Sequence, residues 1–459
     1  MAAETTQEDV LTTHEGHALI EKCGPTPAGQ AWLLRTQKLE DLIDVINGSR
    51  SGTIFDLDGL TFTSGTSGPF RLHRDGVTLH HGHLKLTGGQ QLLISGDNVR
   101  LEDVLVTGHD ARERVLDWDA PRAMVSGVGP IHLSLIDCKL EGAAGNEAVI
   151  SADSGCHVEL CKGVNKGSPG CQVLNNLHGV GVMAKGEGST VAATGAVVCG
   201  HKSSCVSARD GGSAELEGCQ LSGSKGGCGV FVHGEGSRAV ARGCKMEGNH
   251  DSGAEVVGGG TATLEGCQLS GSKEAHGMSV CGKGSLVKAK GCKLVDNKVS
   301  NLAVKAGGMA GLQGCQLSGS KLMRGMFVEG EGTWVEAKKC KMVDNRKSGV
   351  EVTGGGMATL EGCLLGGSKE EHGMKVHGEG SRAEAKSCRL VDNERSNLAV
   401  EAGGKAKLQG CQLNGSKTRY GIYTAGVGSL VVAEDCKVVG NKMHPVVEND
   451  GGRVVLTAA

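Results

Sequence analysis

Short alternations of apolar and polar residues, each only two apolar positions long, recur along most of this chain. In one stretch Val230 and Val232, then Ala239 and Ala241, then Cys244 and Met246 alternate with their neighbours, and turn residues separate the three pairs. A period of two in runs this short predicts strands, and no such run is long enough for a helix. Cysteines keep the count. Cys219, Cys244, Cys267, Cys292, Cys315, Cys340, Cys363, Cys388, Cys411 and Cys436 are separated alternately by 25 and 23 residues, a 48-residue super-repeat. Gly181 to Ala196 matches Gly229 to Cys244 with Ala in the cysteine slot, and Cys138 and Cys161 are assigned to the same slot. Self-similarity at this period marks a solenoid, and three strands with three turns per unit predict a coil of a parallel β-helix. Leucine-rich repeats are excluded because their L-x-x-L-x-L core and helical segment are missing.

The unit G-[V/A/M]-x-V…[A/V/L]-x-[A/L]-x-G-C-x-[L/M/V]-x-x-[N/S], running from about Phe70 to Ala459, resembles the right-handed parallel β-helix repeat of pectin-lyase-like and carbohydrate-binding or sugar-hydrolase proteins. The resemblance implies an all-β, single-stranded right-handed solenoid with about 23–25 residues per coil. It also implies that an enzyme of this kind would cleave or epimerise uronic-acid polymers with acidic residues and Arg or Lys. No catalytic motif matches residue by residue.

Composition fits this fold. Of 459 residues 77 are Gly, and only 5 Phe, 3 Trp and 2 Tyr are present, which argues against conventional large-side-chain cores. Collagen is excluded, since Gly does not recur every third residue and Pro is only 7. The net charge of −3 points to neither nucleic acid nor membrane. Met1 to Val10 is polar and acidic, unlike a secretory signal, so the expected location is intracellular, cytoplasmic, with reduced cysteines.

Stacked coils convert each repeat position into a ladder with about 4.8 Å between rungs. The cysteine slot reads as an internal ladder of small buried side chains, without a metal role because no CxxC pair occurs. Five residues on, Ser224, Asn249, Ser272, Asn297, Ser320, Asn345, Ser368, Asn393, Ser416 and Asn441 read as turn residues that bond backbone. Two residues before each cysteine, the order Glu217, Arg242, Glu265, Lys290, Gln313, Lys338, Glu361, Lys386, Gln409, Glu434 avoids like charges on neighbouring rungs.

One row breaks that logic. Six residues after each cysteine stand Lys225, His250, Lys273, Lys298, Lys321, Arg346, Lys369, Glu394, Lys417 and Lys442. Its eight cations are read as a basic stripe for an acidic partner, against the plain reading of a solvated lysine-rich turn. A protein partner or large assembly is favoured over acidic polysaccharide. Nucleic acid is disfavoured because no aromatic residues interleave with the row.

The N-terminal third is irregular. Residues 1–26 read as a flexible arm and 27–69 as a cap, with a helix expected over Gln30 to Asn47; irregular coils fill 70–211 and regular coils 212–459. Asp110, Arg112, Arg114, Asp117, Trp118, Asp119 and Arg122 crowd together, the one candidate for general acid–base chemistry. His73, His80, His81 and His83 lack identifiable further ligands for a metal. The sequence therefore favours a non-enzymatic scaffold or binding rod without cofactor, metal or membrane, the C-terminal end of the solenoid being open to a partner. A carbohydrate-active lyase, hydrolase or epimerase with its site near 110–122 is the alternative.

Overall fold

The computed structural model describes residues 11–12, 18–19, 24–26, 29–33, 38–65, 69–87, 90–108, 123–142, 147–163 and 168–457, with side chains from Lys38 onward. Two compact units are present, residues 1–207 with 211–215, and residues 208–210 with 216–459. Both contain stacked parallel β-coils, and in the second unit each coil has three strands.

In the second unit, one coil comprises Val230–His233, Arg238–Arg242 and Lys245–Glu247. The next repeats it as Ala254–Val257, Thr261–Glu265 and Gln268–Ser270. Pairing is parallel and in register, with Val230 on Ala254, Arg242 on Glu265 and Met246 on Leu269. The alternation read from sequence is the burial pattern. A single coil turns Met278, Val280, Val287, Ala289, Cys292 and Leu294 inward, all buried. The bore between three sheets is narrow, so small side chains fill it where a sandwich would need aromatics.

Gly is frequent because each coil turns sharply. The residue before the cysteine is always left-handed, with φ of 60° at Gly243, 61° at Gly266 and 62° at Gly291. Glycine meets that demand without a Cβ penalty. Lys339 and Ser387 hold the same conformation in the same slot at φ 53° and 51°.

Two internal ladders tie coils together. The ladder cysteines Cys219, Cys244, Cys267, Cys292, Cys315, Cys340, Cys363, Cys388 and Cys411 are buried, and every described cysteine is a free thiol. Sγ of Cys267 donates to Ala241 O at 3.3 Å, and the N–H of Cys388 donates to Cys411 Sγ at 3.4 Å. Contact with the flanking Cys219 and Cys267 thiols, followed by burial, pushes the Cys244 thiol well above its ordinary range. The asparagine ladder is equally regular. Asn297 Nδ2 donates to Leu269 O at 3.1 Å, and its Oδ1 accepts from Ser272 N at 3.1 Å. Asn249, Asn345, Asn393 and Asn441 repeat both bonds to the coil before their own.

The structure corrects two expectations. Cys161 is not in the cysteine slot: it ends the strand His157–Cys161 and pairs with Ile136. The slot belongs to Cys171, because Gln172 pairs with Lys139, the residue after Cys138. A longer connection between the second and third strands of that coil shifted the count. The N-terminal helix is also shorter than expected. It covers Leu39–Gly48, whereas Gly29–Leu33 is a strand paired with Gly24–Thr26 and Ile54–Asp56. Only Leu39, Leu42, Ile43 and Ile46 follow the i, i+3, i+4, i+7 spacing of one helical face, and all four are buried. The helix is pinned to the first unit by Asn47, whose Nδ2 donates to Arg71 O at 2.8 Å and whose Oδ1 accepts from His73 N at 3.0 Å.

Candidate functional site: the lysine column

The turn from the third strand of one coil to the first strand of the next places the basic row on a true ladder. Lys273 N donates to Asn249 O at 2.9 Å, Lys298 N to Ser272 O at 3.1 Å and Lys321 N to Asn297 O at 2.9 Å. Arg346, Lys369, Lys417 and Lys442 continue with the same bond to the preceding coil. The buried Asn/Ser ladder directly beneath holds this turn, so the row's backbone is rigid even where its side chains are solvated.

The row is not uniformly charged. Lys298 Nζ is gripped by Glu274, 2.9 Å from Oε1 and 2.8 Å from Oε2, and Arg346 Nε donates to Glu370 Oε1 at 2.7 Å. Lys298 in turn holds the Glu274 carboxyl below its ordinary value. His250 lies 3.0 Å from Asp251. By contrast, Lys225, Lys273, Lys321, Lys369 and Lys417 are exposed and none of them reaches a carboxylate; Lys442 is likewise unpaired. A groove of about 590 Å³ opens along the row, lined by Asp296, Gly319, Ser320, Lys321, Arg346, Lys369 and Glu370. Three cations against two carboxylates give this groove a net positive charge, which its solvent exposure leaves open to screening by salt.

The remaining sequence candidates are placed differently. In the alternating row before the cysteines, Arg242 and Glu265 pair at 3.5 Å on the surface. His83 sits between Thr61 Oγ1 at 3.3 Å and Thr107 Oγ1 at 2.7 Å, and His80 lies 3.9 Å from Asp56. Among the described residues no three His, Cys, Asp or Glu converge as a metal site would require. The cluster Asp110 to Arg122 lies outside the described residues.

One surface escaped the 48-residue reading. On the outward side of the first strands, Phe231, Phe327 and Tyr423 recur every 96 residues, as do Glu255 with Glu351, and in the turn just before those strands so do His276 and His372. Arg324 grips Glu351, its Nη2 2.9 Å from Oε1, while its guanidinium lies 4.5 Å from the Phe327 ring centre. Lys305 covers the same ring at 5.2 Å. Tyr420 stacks on Tyr423 at 5.8 Å. Aligning 229–324 with 325–420 exposes this four-coil period; counting cysteines alone hides it.

A family model described as right handed beta helix region matches residues 170–333 and 324–458. The chain belongs to this right handed beta helix family. Among solved structures, the β-helix is similar to the mannuronan C-5 epimerase AlgE4 A-module of Azotobacter vinelandii, with 13% identity, 83% of this chain and 90% of that one covered, and a TM-score of 0.33. It is similar to the periplasmic alginate epimerase AlgG at 10% identity, covering 94% and 85% with a TM-score of 0.36. A GH87 alpha-1,3-glucanase catalytic domain gives 8% identity, 95% and 69% coverage and a TM-score of 0.37. No curated protein matches the chain.

Proposed function

We infer that this β-helix is a non-enzymatic binding rod whose lysine column docks an extended acidic partner. The observation that carries this reading is the set of five exposed, unpaired lysines, Lys225, Lys273, Lys321, Lys369 and Lys417, held by one repeated turn. Lys is a flexible, strongly hydrated charge, suited to a solvated polyanion rather than to a dry interface. The near-identical units favour a partner that is itself long, because a repeated surface gains affinity when several contacts engage at once. A reducing compartment is proposed with it, since a ladder of free buried thiols persists best where disulfides do not form.

The test is direct. Parent protein and the variant carrying Lys273→Gln, Lys321→Gln, Lys369→Gln and Lys417→Gln are passed over immobilised heparin, alginate and a neutral glucan at low salt. The parent is expected to be retained on the anionic supports alone, and the variant to flow through. Equal behaviour of the two proteins would reduce the column to a solvated turn. New reducing ends or unsaturated or epimerised products from the soluble polymers would replace the scaffold reading with an enzymatic one.

A further inference from the structure

The lysine column carries a register as well as a charge. The dipeptide Ser-Lys recurs at 224–225, 272–273, 320–321, 368–369 and 416–417, always 48 residues apart. In the intervening coils the charge is cancelled or reversed: His250 faces Asp251, Lys298 is held by Glu274, Arg346 by Glu370, and position 394 is Glu. From Lys225 to Lys417, unpaired positive charge therefore appears once per two coils, a spacing of about 9.6 Å.

Those intervening coils present something else. Asp296, Asp344 and Asp392 are exposed residues with φ of 57°, 57° and 56°. Each stands against a glycine of the following coil: a Cβ built on Gly319, Gly367 or Gly415 would meet the aspartate Oδ1 at 2.3, 2.5 or 2.4 Å. The three glycines thus leave room for the three carboxylates, which have no ion-pair partner. Read coil by coil, two neighbouring rows of this turn, four and six residues after the cysteine, give Lys273, Asp296, Lys321, Asp344, Lys369, Asp392, Lys417. Asp296, Lys321 and Lys369 border the same groove of about 590 Å³.

Resting on the polyanion reading above, we propose that this column recognises an acidic polysaccharide in which a charged sugar alternates with a neutral one. A pyranose residue in an extended chain advances by roughly the rise of one coil, about 4.8 Å. A disaccharide then spans two coils and returns its anion to each unpaired lysine. The neutral sugar between them donates its hydroxyls to Asp296, Asp344 and Asp392, carboxylates that only accept hydrogen bonds. A polymer charged at every sugar would set an anion against each aspartate, and like charges at that separation repel. An extended acidic peptide repeats its same-side residues about every 6.8 Å, out of step with the lysines.

The experiment compares hyaluronan, polygalacturonate and polyglutamate of matched length, binding to the full chain at one salt concentration. Hyaluronan, with one carboxylate per disaccharide, is expected to bind about tenfold more tightly than polygalacturonate, a difference of about 1.4 kcal/mol. Lys321→Gln with Lys369→Gln should lower hyaluronan binding about tenfold, since each lost charge contact also lowers the salt slope. Removing Lys298 and Glu274 together as Gln should leave it unchanged. Asp344→Asn with Asp392→Asn should raise polygalacturonate binding and erase the preference. Tighter binding of polygalacturonate or polyglutamate by the parent, or no response to the aspartate changes, overturns the register while the polyanion reading stands. Failure of the parent to bind any of the three overturns both.

Discussion

Replacing Asn297 by Ala tests whether the ladder beneath the lysine turn holds the coils together. Asn297 is fully buried, with a relative exposure of 0%. It donates to Leu269 O at 3.1 Å and to Asn301 Oδ1 at 2.9 Å, and accepts from Ser272 N at 3.1 Å. Truncation strands all three partners in an interior that also encloses Met278 and Leu294. A buried group left without its partner costs roughly 1–3 kcal/mol, so the sum over three is about 3–9 kcal/mol when no water enters. Ser272→Ala supplies the comparison, because it removes only the hydroxyl bond to Ala275 O at 3.0 Å. That loss should cost about 1 kcal/mol. Solenoids unfold by neighbouring units, so the informative assay is amide exchange at the coils around residue 272 rather than a global melt. The two variants should differ by about 2 kcal/mol or more in local opening free energy. Equal protection in both, or an Asn297→Ala change below about 1 kcal/mol, would refute the ladder's structural role.

Gly277 tests close approach rather than left-handed backbone. A Cβ there would lie 2.5 Å from Asn297 Nδ2 and 2.7 Å from Asn301 O, so Gly277→Ala should destabilise by about 1–3 kcal/mol in the same exchange assay. His276 is pushed down from 6.5 to about 4 by burial and then by Lys305, and His372 to about 3 by burial and then by Lys375 and Arg395. The unfolded chain takes up these protons first, so stability is complete above pH 6.5 and falls as pH drops toward 4. For His276 alone the loss approaches about 3 kcal/mol, and His276→Gln with His372→Gln should flatten the denaturation midpoint across that range. Native-state alkylation should modify the partly exposed Cys281 while sparing Cys292 and Cys340; uniform labelling would contradict the buried ladder.

Much of the architecture is written in positions whose spacing the fold cannot vary. A residue such as Cys292 must fall on the rung between Cys267 and Cys315, so the 25- and 23-residue separations reveal three strands per coil. Cys161 misled because the connection before Cys171 is longer, and a count of cysteines cannot distinguish an insertion from a coil. Trp32 stands seven residues before Leu39, a helical interval, yet Ala31 to Leu33 pairs with Ile54 to Asp56; sheet pairing outweighs that spacing. The lysine row was legible as a row, but not as two alternating populations. Glu274 and Lys298 are 24 residues apart in sequence and become partners only because consecutive turns stack. The first-strand face, with Arg324 between Phe327 and Glu351, required comparison of four-coil blocks rather than one repeated residue.

The central claim is that unpaired lysines in a fixed turn bind an extended polyanion by charge. The salt dependence of that binding measures it most directly. Titrating the parent chain onto a long anionic polysaccharide over increasing salt should give a straight fall of log K with log salt. Its slope should drop by about one for each of Lys273, Lys321 and Lys369 changed to Gln. A slope unaffected by those changes, or binding insensitive to salt, would contradict the claim.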